Sequence, residues 1–473
     1  MNKYKTLAVN TMIFAVGSFG SKILQLLLNR LYTSNIPSEM MNTKDLVEIT
    51  ANFLIPIFTV SIAESVIRFG LGRDNDKREV FTGAVVVELF GLALLLLCAP
   101  LLGVPAYMKG YLLLLIVYII TSSFRQLCSQ FIRARGLLKL FSLDGILCCL
   151  SLFLFNVLFI SILNLGVRGF FLSVILSDFC SGVFLCLVAG IPRYFSLRYL
   201  NPDLIRSMIR FSAPLIPTAV LWIFTGFSDR YFIQLLDGPA GLVGKSAAGV
   251  YSAASKVPNL LSMVSMVFYQ AWNISAITEN DSEDRSQFYK LIFGSYQSLM
   301  FVGSAMLIAL VQPLSAVLIS HRNDAAYAAA FRYTPLLVVA VLLMCFNQFF
   351  SSIYTATKHT KNSFWTSLVA AVTNLLLNLL LIPRYGVYGA IVATVLSYLI
   401  CYVIRVFDAR RYVPFPVAHG KTLLNLLILT GMSWAVSSET ASYPVYLVCG
   451  VLLTLALNYE AILKTAAKLL HRS

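Results

Sequence analysis

Charge is what this chain has least of. Only 12% of its 473 residues are Asp, Glu, Lys or Arg, against roughly 25% in an average soluble domain. So few charges cannot coat a water-facing globule of this length, which excludes a soluble enzyme and a disordered chain. Histidine is scarcer still: the four, His321, His359, His419 and His471, fall in loops or the tail. No Walker A loop, HExxH or GxSxG occurs, so no enzyme, nucleotide-driven pump, metal site or cofactor is expected. No basic run is longer than Arg410-Arg411, which leaves nucleic-acid binding without support. The nine cysteines all lie in apolar stretches, without external pairs or metal-ligand spacing. They read as buried hydrophobes, and a secreted disulfide scaffold is excluded.

What is present is apolar sequence, with 58% hydrophobic residues and a mean hydropathy of +0.80. A membrane-crossing helix needs about 20 mainly apolar residues, and about fourteen such stretches can be read. They lie near 8–33, 46–69, 80–102, 111–132, 141–163, 167–190, 207–236, 247–276, 290–318, 333–357, 363–383, 387–407, 422–438 and 442–462. The thirteenth is the weakest, because SWAVSSETAS cuts it short. The first reads as an uncleaved span, since Asn and Ser stud it and it runs on to Leu31. An even span number puts both termini on one side. That side's loops, with Arg133 and Arg405 assigned to them, carry about three times the Lys and Arg of the other, which makes it cytoplasmic.

Gly166-Val167-Arg168-Gly169, followed by FFLSVILS, returns at Gly386-Val387-Tyr388-Gly389, followed by AIVATVLS. Ile55-Pro56 and Val257-Pro258 each open a long span that ends before a charged loop. The expected architecture is therefore an all-α membrane protein with two pseudo-symmetric six-helix lobes, residues 1–205 and 206–412, around a central cavity. Residues 413–473 supply the last two spans and a tail. Such repeats usually enclose a substrate path; chance recurrence of a Gly-turn-helix pattern is the rival reading.

A charge deep in lipid costs at least ~2.5–3.5 kcal/mol and normally faces a cavity or a partner. Helical spacing sorts the polar residues into stripes. Lys22, Gln25 and Asn29 share a face of the first span, and Arg125 shares one with Tyr118, Ser122 and Ser129. Lys256, Asn259 and Gln270 belong to the longest stripe, with Ser252, Ser255, Ser262 and Met266. Arg68 lies four residues after Glu64 and can pair with it, while Arg230 follows Asp229. These basic and amide residues are expected to line a water-filled cavity. Bonding between packed helices competes as an account of the Ser and Asn positions, and snorkelling competes for Arg68 and Arg230. Glu64, Glu88, Asp178 and Asp229 are candidates for ion pairing or for carrying a coupling proton. Cations at several depths suit an anionic headgroup, Arg binding phosphate as a fork of donors and Lys as a point charge.

Two regions then carry a family resemblance. Within 228–276 stand Asp229-Arg230-Tyr231, Gly249-Val250-Tyr251-Ser252, Lys256-Val257-Pro258 and Gln270-Ala271-Trp272. The second span reads FLIPIFTVSIAESVIRFGL, with Pro56, Glu64, Arg68 and Phe69. Both resemble bacterial polysaccharide-export flippases of the multidrug/oligosaccharidyl-lipid/polysaccharide exporter superfamily. The resemblance implies a non-enzymatic flippase in a bacterial plasma (inner) membrane, with both termini cytoplasmic. By alternating access of two lobes it would move undecaprenyl-pyrophosphate-linked oligosaccharide to the outer leaflet for cell-surface polysaccharide biosynthesis. Lys22, Arg68, Arg230 and Lys256 stand on spans matching those thought to hold the pyrophosphate. Implied partners are the lipid-linked oligosaccharide, membrane lipid, a polysaccharide polymerase and glycosyltransferases. A cation-coupled multidrug antiporter of the same superfamily is the alternative, kept open by Asp229 and Glu64. A scaffold of a polysaccharide synthesis complex is the second alternative and leaves the polar stripes without a role.

Overall fold

The computed structural model describes residues 38–72, 75–103, 108, 110–318, 330–438 and 443–470, with isolated helical positions between 9 and 35. Every regular element among the described residues is a helix. Lipid demands this, because a helix satisfies its backbone hydrogen bonds within one segment. In chain order these are α1 (Ser38–Phe58), α2 (Ile62–Gly70), α3 (Lys77–Leu102), α4 (Leu112–Ala134) and α5 (Leu138–Asn156), which continues as a π-helical turn, Val157–Ile162. Next come α6 (Gly166–Ala189), α7 (Pro202–Ser212), α8 (Leu215–Leu235), α9 (Lys245–Ala254), α10 (Lys256–Thr278), α11 (Arg285–Ala309) and α12 (Val311–Leu318). The last are α13 (Ala330–Ala356), α14 (Thr360–Tyr385), α15 (Val387–Ala409), α16 (His419–Ser437) and α17 (Tyr443–Leu470).

Eleven of the described helical stretches are long and apolar enough to cross a membrane, or twelve if α1 and α2 count as one broken span. They correspond to the expected spans two to twelve and fourteen. The thirteenth is α16, and most of the first lies outside the described residues. The protein is thus an all-α, multi-pass membrane protein.

The chain forms two compact units. One comprises Thr6–Val220 with Gln270–Thr278; the other comprises Met1–Lys5, Leu221–Tyr269 and Glu279–Ser473. They are called here the N-unit and the C-unit. In the N-unit, one apolar cluster joins Ile62, Val66 and Phe69 of α2 to Val80, Phe81 and Ala84 of α3, Phe131 of α4 and Leu204, Met208 and Phe211 of α7. In the C-unit, aromatic rings of Phe293, Phe346, Phe349, Phe350 and Phe415 pack with centroids 4.8–6.1 Å apart. Lipid tails are as apolar as such side chains, so helices in a bilayer are held by close packing and by polar bonds between them.

The second span breaks in its middle. The helix axis turns by 54° between 47–58 and α2. Val60 and Ser61 take φ of 55° and 48°, the left-handed region where a β-branched residue is strained. Pro56 lacks a donor, and the turn is closed by Ser61 N donating to Pro56 O at 3.0 Å and Thr59 Oγ1 donating to Ile55 O at 2.7 Å. Gly91 of α3 lies against this break: a Cβ there would stand 1.7 Å from the Phe58 carbonyl oxygen.

The repeated Gly-x-x-Gly segments are structurally alike. Gly166 and Gly386 have φ of 53° and 56° at the starts of α6 and α15, which glycine alone adopts without strain. The second glycine of each pair presses on the preceding helix. A Cβ on Gly169 would lie 3.0 Å from Phe159 O, and one on Gly389 would lie 2.4 Å from Leu381 O. The same turn and the same close approach recur in both units, which favours a true repeat over chance.

Candidate functional site

Each unit holds a buried polar centre. In the N-unit, α4 supplies Arg125, α5 Asp144 and α6 Asp178. Residues 122, 125 and 128 meet 178, 181 and 186 respectively, so α4 and α6 run parallel. The Arg125 guanidinium lies 3.6 Å from Asp144 Oδ2 and 3.5 Å from Asp178 Oδ1, and its Nε donates to Ser181 Oγ at 2.8 Å. Ser181 in turn donates to Asp144 at 2.5 Å, and Ser122 donates to Asp178. Two nearly buried carboxylates thus flank one guanidinium. Asp144, which lies near the start of α5, serves as a partner of Arg125 across helices and not only as a charge placed to suit the helix dipole.

This arrangement alters what an Arg125 substitution reports. Removing one partner of a buried ion pair costs about 3–5 kcal/mol. Arg125→Ala is therefore expected to lower the amount of folded protein and its melting temperature. The Arg125→Ala/Asp144→Asn/Asp178→Asn variant should regain most of both, as read by fluorescence-detected size exclusion and thermal melts in detergent. A stable Arg125→Ala variant would show that the three groups are not energetically linked.

A second N-unit cluster surrounds α2. Arg68 and Arg133 are both buried, at 8% and 6% exposure. Arg133, assigned from sequence to a loop, ends α4 inside the unit and donates to Gln130 Oε1 at 2.8 Å and to the Gln270 carbonyl at 3.1 Å. The salt bridges among the described residues do not include Glu64 with Arg68. The i,i+4 pair expected from sequence is therefore not among the ion pairs of the described residues. Glu88 of α3 is buried beside Ser123 of α4, and its Oε1 accepts no hydrogen bond.

The C-unit centre is Asp229 of α8, 3% exposed. Its carboxylate accepts from Tyr251 Oη at 2.7 Å, Asn378 Nδ2 at 2.7 Å, Asn374 Nδ2 at 3.3 Å and Thr394 Oγ1 at 2.5 Å. These donors come from α9, α14 and α15, and Ser228 joins through Asn374 Oδ1 at 3.2 Å. Every one of these partners is neutral. The Asn378 Oδ1 atom is buried and accepts no hydrogen bond. A carboxylate, two amide oxygens and a hydroxyl make a hard-oxygen set of single negative charge, suited to a proton or a monovalent cation. Among the described residues no three His, Cys, Asp or Glu side chains converge on a point.

The remaining candidates fall as follows. Lys22, Gln25 and Asn29 lie outside the described residues. Lys256 and Asn259 are exposed in the first turn of α10, and Met266 further along the same stripe is 47% exposed. That stripe is therefore not consumed in packing. Arg230 is half-buried, its Nε without a hydrogen-bond partner. Gln270 is half-buried near the far end of α10.

Sequence reading missed two things. Arg405, assigned to a loop, is 1% exposed inside α15. It donates to Thr366 Oγ1 (2.9 Å), Asn347 O (2.7 Å) and Ser367 Oγ (2.8 Å), and so ties α13 and α14 to α15. The amide shell of Asp229 was also missed. Its signal was Asn374 and Asn378 at i,i+4 in an otherwise apolar LLLNLLL context.

The fold is that of MATE family transporters of the MOP superfamily. A multidrug resistance MATE family transporter in an outward-facing conformation superposes with a TM-score of 0.74 at 13% identity, covering 87% of this chain and 96% of that one. A Vibrio cholerae MATE transporter variant gives 0.72 at 13% identity, covering 86% and 96%. A MOP superfamily transporter from Pyrococcus furiosus, described as having a binding pocket of reverse polarity that suggests a different function, gives 0.72 at 14%, covering 87% and 97%. An uncharacterised membrane protein of Methanocaldococcus jannaschii is 23% identical over 290 residues, which are 59% of this chain and 55% of that protein. The chain thus matches about half the length of that relative. No family model matches the chain.

Proposed function

We propose that the protein is a flippase for a polyprenyl-pyrophosphate-linked oligosaccharide. The observation that carries the reading is the burial of two arginines, Arg68 of α2 and Arg133 of α4, at 8% and 6% exposure inside the N-unit. Buried guanidinium groups favour an anionic group; in the C-unit, Lys256 and Asn259 are exposed in the first turn of α10. The reverse-polarity pocket described for the Pyrococcus furiosus transporter, said to suggest a different function, supports the idea that this fold is not confined to one function. Movement of a dianion out of a negative cytoplasm releases about 4.6 kcal/mol per 100 mV, so export can be downhill without ion coupling.

A second reading has its own support. Asp229, held only by neutral donors among the described residues, suits a coupling proton or cation, and one solved structure of this fold is a multidrug resistance transporter. One experiment separates the two. Native mass spectrometry on gently extracted protein should show a bound polyprenyl pyrophosphate carrying sugars, lost in Arg68→Gln and weakened in Lys256→Ala. Ordinary phospholipid alone, together with altered dye retention in cells expressing the protein, would sink the flippase and support the antiporter.

A further inference from the structure

The segment between α6 and α8 is clamped to the N-unit on one side. Gly190 ends α6 at φ 60°, two 3-10 turns follow (Ile191–Tyr194 and Leu197–Tyr199), and α7 starts at Pro202 with its first turn capped by Asn201. Leu204, Met208 and Phe211 face the core with α2 and α3. Polar bonds add to this. Ser65 Oγ of α2 donates to Met208 O at 2.8 Å, Thr82 Oγ1 to Tyr194 O at 3.2 Å, Arg78 to Tyr199 Oη at 2.8 Å, and Asn201 Nδ2 to Glu79 at 2.9 Å.

The other side is open and of mixed chemistry. Phe195, Leu197 and Leu200 are 40%, 68% and 42% exposed. Between and beside them Arg193, Arg198, Arg206 and Arg210 are all exposed, and none makes an ion pair among the described residues. Arg206 and Arg210 stand at i,i+4 on α7, where like charges repel unless an anion lies between them. The lipid-facing side of α6 ends at the exposed Leu187 and Val188, a few residues before Phe195. The open face therefore follows directly on the exposed apolar end of α6 and precedes the apolar stretch that starts with α7. Exposed apolar groups interleaved with unpaired arginines are what a segment lying in the headgroup layer requires: the rings and methyls enter the acyl boundary and the cations meet phosphates.

We propose that 191–212 is an anionic-phospholipid-binding strap, its four arginines taking phosphodiester headgroups. Because the strap grips α2 through Ser65, bound lipid also steadies the half-helix that carries Glu64 and Arg68. This holds whichever substrate the protein moves.

The test uses the full-length protein in nanodiscs of phosphatidylcholine with or without phosphatidylglycerol, followed by hydrogen–deuterium exchange and thermal melts. Phosphatidylglycerol is expected to slow exchange across 191–212 and raise the melting temperature, and about 0.5 M salt should weaken both effects. The Arg193→Gln/Arg198→Gln/Arg206→Gln/Arg210→Gln variant should retain roughly ten-fold less phosphatidylglycerol by native mass spectrometry, whereas four Arg→Lys changes should leave retention within about two-fold. Unchanged exchange in α4 shows that each variant is folded. If the glutamine variant misfolds, the wild-type comparison of the two lipids decides. Equal exchange and equal melting in both lipids would overturn the proposal. So would full phosphatidylglycerol retention by the glutamine variant, or protection that appears only when a soluble protein is added.

Discussion

Asp229→Ala is expected to stop gradient-driven transport in reconstituted vesicles while costing only about 1–3 kcal/mol of stability. The cost is modest because most donors around the carboxylate have a second acceptor. Asn374 Nδ2 also reaches Thr394 Oγ1 at 3.2 Å, Asn378 Nδ2 reaches Asn374 Oδ1 at 3.1 Å, and Thr394 Oγ1 reaches Ala390 O at 3.1 Å. Tyr251 Oη, bonded to Asp229 at 2.7 Å, is the group left in want of an acceptor. Losing the desolvation penalty of a buried carboxylate offsets part of that. Tyr251→Phe in the Asp229→Ala background should therefore restore stability without restoring transport, a coupling that a double-mutant cycle measures. Asp229→Asn keeps one acceptor and removes the charge. If coupling is by charge it should be inactive but nearly as stable as wild type. Full transport by Asp229→Asn would remove Asp229 from any coupling role.

The second large effect is expected at Gly91. Gly91→Ala places a Cβ 1.7 Å from a backbone carbonyl, Phe58 O, and 2.8 Å from its carbon. No flexible side chain can yield there, so α3 must retreat or the break must straighten. Overpacking typically costs about 1–3 kcal/mol and this contact belongs at the upper end; a melting-temperature loss of several degrees and a fall in transport are expected. Val60→Gly removes strain of about 1–3 kcal/mol at φ 55°, but it adds about 0.4–1 kcal/mol of unfolded-chain entropy and gives up the packing of the half-buried Val60 against the N-unit apolar cluster, worth about 1 kcal/mol. It is expected to melt within a few degrees of wild type. An unchanged melting temperature in Gly91→Ala would show that α3 does not press on the break.

What could be read from sequence was whatever depends on one helix at a time. Length and hydropathy fix that a stretch crosses lipid, because only a helix of about 20 apolar residues satisfies its backbone there. The Gly-x-x-Gly repeat was legible because it is local, and its left-handed glycines and close helix approaches are both present in the fold. The break in the second span was only partly legible. Pro56 marks it, but Val60 and Ser61 carry the left-handed turn, and nothing in their identities announces that.

Charge pairing was decided by tertiary structure alone. Spacing along a helix reveals a partner at i±3 or i±4, so Glu64 seemed matched with Arg68 and Arg125 seemed to lack an acid. The rotation and depth of neighbouring helices set the actual pairs: Arg125 sits between Asp144 and Asp178, which stand on two other helices. Arg405 shows the same limit. Its place near the end of an apolar span looks like a loop cation, until Thr366, Ser367 and the Asn347 carbonyl close around it. The sequence by itself determined that many helices cross and which residues are polar within them. Which of those residues satisfy one another, and which are left for a ligand, followed from packing, because hydrogen bonds between helices depend on positions no single helix contains.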